Sequence, residues 1–272
     1  MPLPTTNLTL HLDASDTDKL FTTWVNGGAH TGTPADGNAV QAWSRETDGS
    51  LTPAHAAYNS GTTAPAYRSG TPLMLLPCLD FDGTNDEMRI VGDATVTDYR
   101  NDGLIFAASG KTIIVAFYAE SITLTGGTDS CHSIIGNDSG YFNLYCRDEA
   151  GTKKLKFFNY DGTVNNVDQT ITAGTTVVAC ARHDGTNVYL SVDGGSESST
   201  ASGASATWPN MSVWIGRANG GPGFFDGRIG EIACYNAALT GTGLTDAIAY
   251  FRSKWQGVGG GAPDSVSIAA MM

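Results

Sequence analysis

The chain has 272 residues, of which 41% are hydrophobic and only 15% are charged. A chain of this length can bury a sizeable core without disulfides or metals, and one large all-β domain is compatible with it. The net charge of −12 argues against a surface that binds a phosphate backbone, so we expect no nucleic-acid partner.

Short strand patterns and long loops alternate in the first part of the chain. Residues 8–12 alternate apolar and polar side chains, as a half-buried strand does, and residues 40–43 form a second short candidate. Residues 26–39 are rich in Gly, Thr, Asn and Asp and predict a loop. Residues 44–72 show no periodicity and contain Pro53, Pro65 and Pro72, so they predict a long surface excursion.

From residue 79 onwards the strand signals are regular. One predicted hairpin turns around Ala150-Gly151, and another contains Asp184-Gly185, a dipeptide that is typical of tight turns. The β-branched segment 111–119 is typical of a central strand. The predicted strands of this part are 79–82, 88–91, 111–119, 141–147, 155–160, 175–182, 188–192, 213–216 and 228–235.

Helical periodicity is confined to the C-terminal part. Apolar residues at intervals of four, three and four lie on one helical face: Leu244, Ile248, Phe251 and Trp255. Thr240 or Thr242 is the expected N-cap of this helix. A glycine-rich stretch follows Trp255, so residues 258–272 predict a flexible linker and an extended tail.

The five cysteines lack the C-x-x-C spacing of zinc ribbons and thioredoxin-type motifs. They are Cys78, Cys131, Cys146, Cys180 and Cys234. Their odd number leaves at least one unpaired thiol per chain, unless a thiol pairs between chains. Several lie inside strand patterns, which predicts small buried apolar side chains and no reactive role.

Four groups of motifs follow one another in a fixed order. They are VQAW (40–43) with APAYR (64–68) and LDFDGTND (79–86), then ARHDGTNVYLSVDG (181–194), then VWIGRAN with FFDGRIGEIACYNAALT (213–240), and finally AYFRSKWQG (249–257). In this order they resemble the laminin G-like branch of the concanavalin A-like lectin/glucanase superfamily, over about residues 8–257.

This resemblance implies an all-β fold: a two-sheet antiparallel jelly-roll sandwich of about six to seven strands per sheet, with a short C-terminal helix and an extended tail. Phe81 and Ile90 are then expected on the inner faces of the sheets. The resemblance implies one domain over residues 1–257, followed by the linker and tail of residues 258–272.

Some members of the superfamily are glucanases, which resemble one another in an E-x-D-x-x-E motif whose paired glutamates perform the hydrolysis. None of the six glutamates of this chain has that spacing, because Glu46-Thr47-Asp48 is followed by Leu51 in a loop-like stretch. The chain also lacks a G-x-S-x-G elbow and an H-x-x-x-H zinc pair. We therefore predict no enzyme and no catalytic residue, with a glycoside hydrolase as a remote alternative.

Calcium is the one cofactor that the resemblance brings into question, because many relatives bind it through loop carboxylates and carbonyls. Four side chains with hard oxygen donors lie in predicted turns: Asp82, Asn85, Asp86 and Asp226. The same residue types are typical of plain turns, so we assign no metal ligand and expect no cofactor.

Carbohydrate binding would require exposed aromatic side chains that stack on sugar rings. Trp208, Trp214, Phe224 and Phe225 are the candidates. Trp214 lies in a strand, which predicts a core position. Phe224 and Phe225 border a glycine-rich loop, and either exposure or core packing is compatible with that position.

We predict a non-enzymatic structural or decoration protein of a phage particle, bound to the capsid, collar or tail. The argument is an analogy, since laminin G-like folds recur on phage particles. The N-terminus lacks the basic and apolar regions of a signal peptide, which favours synthesis in the host cytoplasm and location in the virion. The expected partners are other virion proteins or copies of the chain, with host-surface glycans as a further partner.

The alternative is a secreted, extracellular module for carbohydrate binding or adhesion, which would use the same loops. No apolar run reaches the roughly 18 residues that span a bilayer, so we expect no membrane insertion.

Overall fold

A computed structural model of the chain describes residues 2–23, 31–44, 56–58, 63–70, 76–91, 110–124, 131–137, 141–160, 162–202, 213–217 and 223–258. This part of the chain is mostly β-structure. Its strands are β1 (Leu8–Asp13), β2 (Leu20–Phe21), β3 (Ala42–Trp43), β4 (Ala56–Tyr58), β5 (Ala66–Arg68), β6 (Cys78–Asp82), β7 (Met88–Val91), β8 (Lys111–Ala119), β9 (His132–Asn137), β10 (Phe142–Glu149), β11 (Thr152–Tyr160), β12 (Val164–Thr170), β13 (Thr176–His183), β14 (Asn187–Val192), β15 (Ser198–Ala201), β16 (Val213–Ile215) and β17 (Asp226–Tyr235). A 3-10 turn covers Thr17–Lys19, and the helix α1 covers Gly241–Gln256.

The strands form two antiparallel sheets. The first sheet has the order β15-β14-β13-β8-β17-β6-β5, and β1 pairs with the C-terminal half of β17 beyond the end of β6. The second sheet has the order β12-β11-β10-β9-β16-β7-β4-β3-β2. Strands that are distant in sequence are neighbours in both sheets, as in a jelly roll. The predicted all-β sandwich with a C-terminal helix is therefore confirmed.

The core lies between the sheets because alternate side chains of each strand point inwards. β8 contributes Ile113, Val115 and Phe117 to this core, and β10 contributes Phe142 and Leu144. Phe81 and Ile90 are also part of it, as the sequence predicts.

Turn chemistry explains the two hairpins. Ala150 and Gly151 adopt positive φ between β10 and β11, and Gly185 does so between β13 and β14. Asp184 supports the second turn, because its carboxylate accepts hydrogen bonds from the backbone amides of Thr186 and Asn187.

Helix α1 packs on the outer face of the first sheet, so that this sheet is covered on both sides. Its apolar face buries Ala247, Phe251 and Trp255 against residues such as Ile114 and Val178. Thr240 occupies the N-cap position without a capping side-chain hydrogen bond, and the helix ends at Gly257, which adopts a left-handed conformation. No helix in the described part of the chain is long and apolar enough to cross a membrane.

Three expectations require correction. The stretch 44–72 is not only a surface excursion, because it contributes β4 and β5 to the sheets and buries Tyr67. The sheets have eight and nine strands, more than the six to seven expected. The sequence patterns also missed the short β2 and the strands β9, β12 and β15, whose polar residues hide their strand character. Residues 259–272 of the predicted tail lie outside the described residues.

Candidate functional site

The outer face of the second sheet carries the aromatic and charged side chains that point to a binding surface. In β10 the residues Phe142, Leu144 and Cys146 belong to the inter-sheet core, so Asn143 and Tyr145 point to the opposite side. In β16 the buried Val213 and Ile215 likewise leave the intervening tryptophan on the outer face.

Strand register aligns these outward residues into one row across the sheet. The row runs from β12 to β7 through directly paired positions: Asn166, Phe158, Asn143, Gly136, Trp214 and Arg89. Trp214 is half-buried in this row, whereas Asn143 and Phe158 are buried. The prediction that Trp214 is a core residue is therefore wrong: the alternation of β16 places it outside the inter-sheet core.

Two arginines alternate with two aromatic rings, of which Trp214 is one. The guanidinium carbon of Arg89 lies 5.0 Å from the centroid of the Trp214 ring, and that of Arg217 lies 5.5 Å from it. Arg217 also lies 5.6 Å from the centroid of the Phe224 ring. We call these four residues the arginine–aromatic ladder. Contacts of this kind are electrostatically attractive, so each ring helps to hold a guanidinium group in place.

Glu87 fixes Arg217 from the side. The Nη1 atom of Arg217 donates a 2.6 Å hydrogen bond to the carboxylate of Glu87, and these side chains are 25% and 17% exposed. The Nε atom of Arg217 is buried and makes no hydrogen bond within the described part of the chain. The ladder thus combines a fixed cation with a donor that has no acceptor among the described residues.

The backbone around Phe224 and Phe225 explains why these neighbours differ. The Phe225 ring enters the core and makes edge-on contacts with Phe81 and Phe117, at centroid distances of 6.2 and 6.0 Å. Phe224 stays half-buried on the ladder side. The sequence left exposure and core packing open for both phenylalanines. Phe225 is a core residue, and Phe224 is half-buried outside the core.

His132 anchors this segment. Its Nε2 atom accepts a hydrogen bond from the Thr123 amide, so Nδ1 carries the proton that it donates to the Phe224 carbonyl, over 3.1 Å. Burial lowers the pKa of His132, which keeps the ring neutral near pH 7. The described residues do not include Trp208, the remaining aromatic candidate.

Two of the four side chains considered for calcium accept hydrogen bonds from nearby backbone amides. The carboxylate of Asp82 accepts hydrogen bonds from the amides of Thr84 and Asn85, and that of Asp86 accepts one from the amide of Asp82. Burial raises the pKa of Asp86 to about 6. Asp226 pairs across the sheet with Asp82. The contacts of Asp82 and Asp86 are those of turn residues, and the absence of a metal ligand stays a prediction.

Another cluster has the composition of a metal site. His11, Asp13 and Glu231 form the one group within the described residues that brings three such ligand atoms within 4.8 Å of one another. The Nζ atom of Lys254 already contacts both carboxylates, so the chain's own ammonium group occupies the position where a cation would bind. We interpret the cluster as an ion-pair network that holds α1 on the sheet.

Carboxylates suited to glycoside hydrolysis would have to be free to take up and release protons at the sugar. All five glutamates in the described residues face a cation: Glu87 with Arg217, Glu120 with Arg228, Glu149 with Lys156, Glu197 with Arg182, and Glu231 with Lys254. Glu46 lies outside the described residues.

A buried serine–histidine pair has the wrong tautomer for nucleophilic catalysis. His183 accepts a hydrogen bond at Nδ1 from the Gly185 amide, so its proton is on Nε2, which faces Ser202 Oγ at 3.3 Å. A protonated nitrogen cannot remove the proton of that hydroxyl group.

The comparisons with known proteins agree with this architecture. Residues 101–244 match the family model described as the concanavalin A-like lectin/glucanases superfamily, which is more than half of the chain. The chain belongs to this superfamily. No curated protein sequence matches this chain.

Two solved structures show the same fold at low sequence identity. Domain 4 of AbnA, an extracellular GH43 arabinanase from Geobacillus stearothermophilus solved with arabinotriose, is 17% identical, with a TM-score of 0.52 over 90% of this chain and 100% of that one. The Trypanosoma rangeli sialidase is 12% identical, with a TM-score of 0.57 over 93% of this chain and 33% of that one. This chain therefore spans about a third of the length of the sialidase.

Sequence reasoning missed Glu87, Arg89 and Arg217 as members of the candidate site. The three-residue spacing of Trp214 and Arg217 would place them on opposite faces of a regular strand, and only the positive φ of Gly216 after the end of β16 interrupts that alternation. No local signal connects Arg89 to Trp214, because β7 and β16 become neighbours only through the sheet.

Proposed function

We propose that this chain is a non-catalytic carbohydrate-binding module whose ligand lies on the arginine–aromatic ladder. The observation that carries the proposal is the half-buried pair of Trp214 and Phe224 on the outer face of the sandwich, each in contact with Arg217. Aromatic rings with a polar neighbourhood are suited to the apolar faces and hydroxyl groups of sugars. The similar arabinanase domain was solved with arabinotriose, which supports the choice of ligand class.

We propose that binding takes place without hydrolysis. Each glutamate of the described residues is engaged in an ion pair with a cation of the chain, whereas glycoside hydrolysis needs two carboxyl groups that face the sugar. Incubation with any oligosaccharide that binds should release no reducing sugar. Release that disappears in a Glu→Gln variant would contradict this part of the proposal.

The ligand site is tested by a glycan array followed by calorimetry on the glycans retained. Trp214→Ala should weaken binding at least about fivefold, because aromatic contacts contribute roughly 1 kcal/mol. The matched control is Tyr189→Ala, since Tyr189 is a half-buried ring beneath Arg182 in the first sheet. Retention of no glycan, or equal binding by Trp214→Ala, would overturn the proposal.

We further propose that binding needs no metal, because the candidate calcium ligands Asp82 and Asp86 serve backbone amides. The affinity should be the same with a chelator and with added calcium. A loss of affinity with the chelator that calcium restores would contradict this expectation.

Location in a phage particle stays a prediction, as do virion proteins as partners. The superfamily and the similar solved structures carry no information about a particle. Sedimentation of the native source material tests it, with mass spectrometry of each fraction. Travel with large particles at a fixed stoichiometry would support a virion component, and recovery only in the light fraction would exclude it and favour the extracellular module.

A further inference from the structure

We infer that the ligand of the arginine–aromatic ladder is an acidic saccharide whose carboxylate binds to Arg217, with Arg89 beside it. The inference rests on the proposed function and adds the chemical class of the sugar.

The ladder already places cations at its aromatic rings. The guanidinium carbons of Arg89 and Arg217 lie 5.0 and 5.5 Å from the centroid of the Trp214 ring. That of Arg217 also lies 5.6 Å from the centroid of the Phe224 ring. A neutral sugar that stacked on Trp214 in the usual way would compete with these cations for the ring. An anionic sugar gains from the same arrangement, because the ring holds the guanidinium groups that it binds. Trp214 is thus a positioning residue for the arginines.

Arg217 has hydrogen-bonding capacity to spare. A guanidinium group carries five N–H donors in a planar fork, and here Nη1 donates to Glu87 while the buried Nε makes no hydrogen bond within the described residues. A carboxylate can pair with two donors of a guanidinium group at once. The planar fork matches the two oxygens of a carboxylate, which is the acidic group that we propose.

The charge of the ladder differs from that of the whole chain. Arg89 and Arg217 place two guanidinium groups in the ladder, whereas the chain has a net charge of −12. An acidic saccharide is repelled by the protein as a whole, so its attraction has to come from these guanidinium groups. Because such attraction is screened by salt, binding should weaken as the ionic strength rises.

Glu87 has a predictable effect on this site. It holds Arg217 at 2.6 Å and places a like charge close to an incoming carboxylate. Glu87→Gln keeps a hydrogen-bond acceptor beside Arg217 and removes the repulsion. We expect this variant to bind the acidic ligand about threefold more tightly, which corresponds to a partly exposed charge pair.

The experiment uses an array that carries carboxylated, sulfated and neutral forms of the same oligosaccharides. The strongest binder is then compared with its own methyl ester by calorimetry, in low and high salt. Arg217→Lys keeps the charge and removes the planar fork. Its matched control is Arg182→Lys, because Arg182 also contacts an aromatic ring and a glutamate, in the first sheet.

We expect the carboxylated form to bind and its methyl ester to bind at least about tenfold more weakly. Arg217→Lys should lower the affinity for the carboxylated form by a similar factor, and Arg182→Lys should leave it unchanged. Equal binding of acid and ester that Trp214→Ala abolishes would overturn this inference and leave the proposed function intact. Preferential binding of sulfated forms would overturn the assignment of a carboxylate. Retention of no form of any sugar would overturn both. Thermal melting of each variant separates a binding defect from unfolding.

Discussion

Glu231 is a fully buried carboxylate, and its ionised form is stabilised by three hydrogen-bond donors around it. Its oxygens accept from His11 Nε2 at 2.5 Å, Trp255 Nε1 at 2.6 Å and Lys254 Nζ at 2.9 Å. Burial by itself would raise the pKa of Glu231, but the hydrogen bond from His11 and the charge of Lys254 outweigh it and lower the pKa. In turn the charges of Glu231 and Asp13 raise the pKa of Lys254 against the effect of its burial.

Glu231→Gln should lower the free energy of unfolding by about 1–3 kcal/mol, because the buried donors of His11 and Trp255 lose a charged acceptor while Asp13 still faces Lys254. Urea titration measures this difference. Asp168→Asn, which breaks the partly exposed pair with Lys154, is the control and should cost less than about 1 kcal/mol. A cost for Glu231→Gln no greater than that of the control would show that the network contributes little.

The pH dependence of this difference has a defined sign. The Glu231 pKa is lower in the folded chain than its ordinary 4.5, so its contribution is present above pH 4.5 and is lost as the pH falls through the folded value. The Lys254 pKa is raised above 10.5, so its contribution is present below pH 10.5 and is lost as the pH rises through the folded value. Asp13 belongs to the same network, and burial together with the charge of Glu231 raises its pKa, so the difference between the wild type and Glu231→Gln should be largest between these limits and should not be flat at its acid end.

Helix α1 fits on β17 because Gly230 leaves room for Trp255. A Cβ atom at Gly230 would lie 2.4 Å from the Cη2 atom of the Trp255 ring. Gly230 lies at the register shift between Ile229 and Glu231, where β17 departs from regular pairing with β8. The irregular strand and the tryptophan therefore belong to one docking contact.

Gly230→Ala should destabilise the chain by about 1–3 kcal/mol, because the added methyl group forces Trp255 or the helix to shift. Gly243→Ala is the control within the helix itself, where an added Cβ meets no atom within 4 Å. Alanine there should be neutral or stabilise the helix by about 0.5–1 kcal/mol. Thermal melting of the two variants side by side tests the contact, and a stable Gly230→Ala would contradict it.

At the scale of the whole molecule, the sandwich and its helix enclose all five cysteines as free thiols. Burial raises the pKa of Cys78 and Cys180 to about 12, and it also raises the pKa of Cys146 and Cys234. A thiolate is the reactive form, so these thiols are protected both by pKa and by access.

We therefore expect a thiol reagent to modify the native chain only as fast as it unfolds, and to titrate all five cysteines in denaturant. Non-reducing electrophoresis should show monomer, because no thiol lies at the surface to form an intermolecular disulfide. Rapid labelling under native conditions would indicate local opening of a sheet.

The sequence by itself determined the features that depend on near neighbours in the chain. Asp184 and Gly185 specify a tight turn through their own backbone, and the spacing of Phe251 and Trp255 specifies a helical face, so the hairpins and α1 were predictable. The regular strands were predictable for the same reason, since alternation is a local pattern.

The tertiary structure decided which face each residue occupies and which strands meet. The apolar neighbours Val213 and Ile215 mark Trp214 as strand, but only their burial in the sandwich places the indole on the outer face. Arg89 reaches it because β7 pairs with β16, and such long-range pairing is set by the packing of the whole core. The polar strand β12 is likewise held by its pairing with β11, which no local pattern encodes.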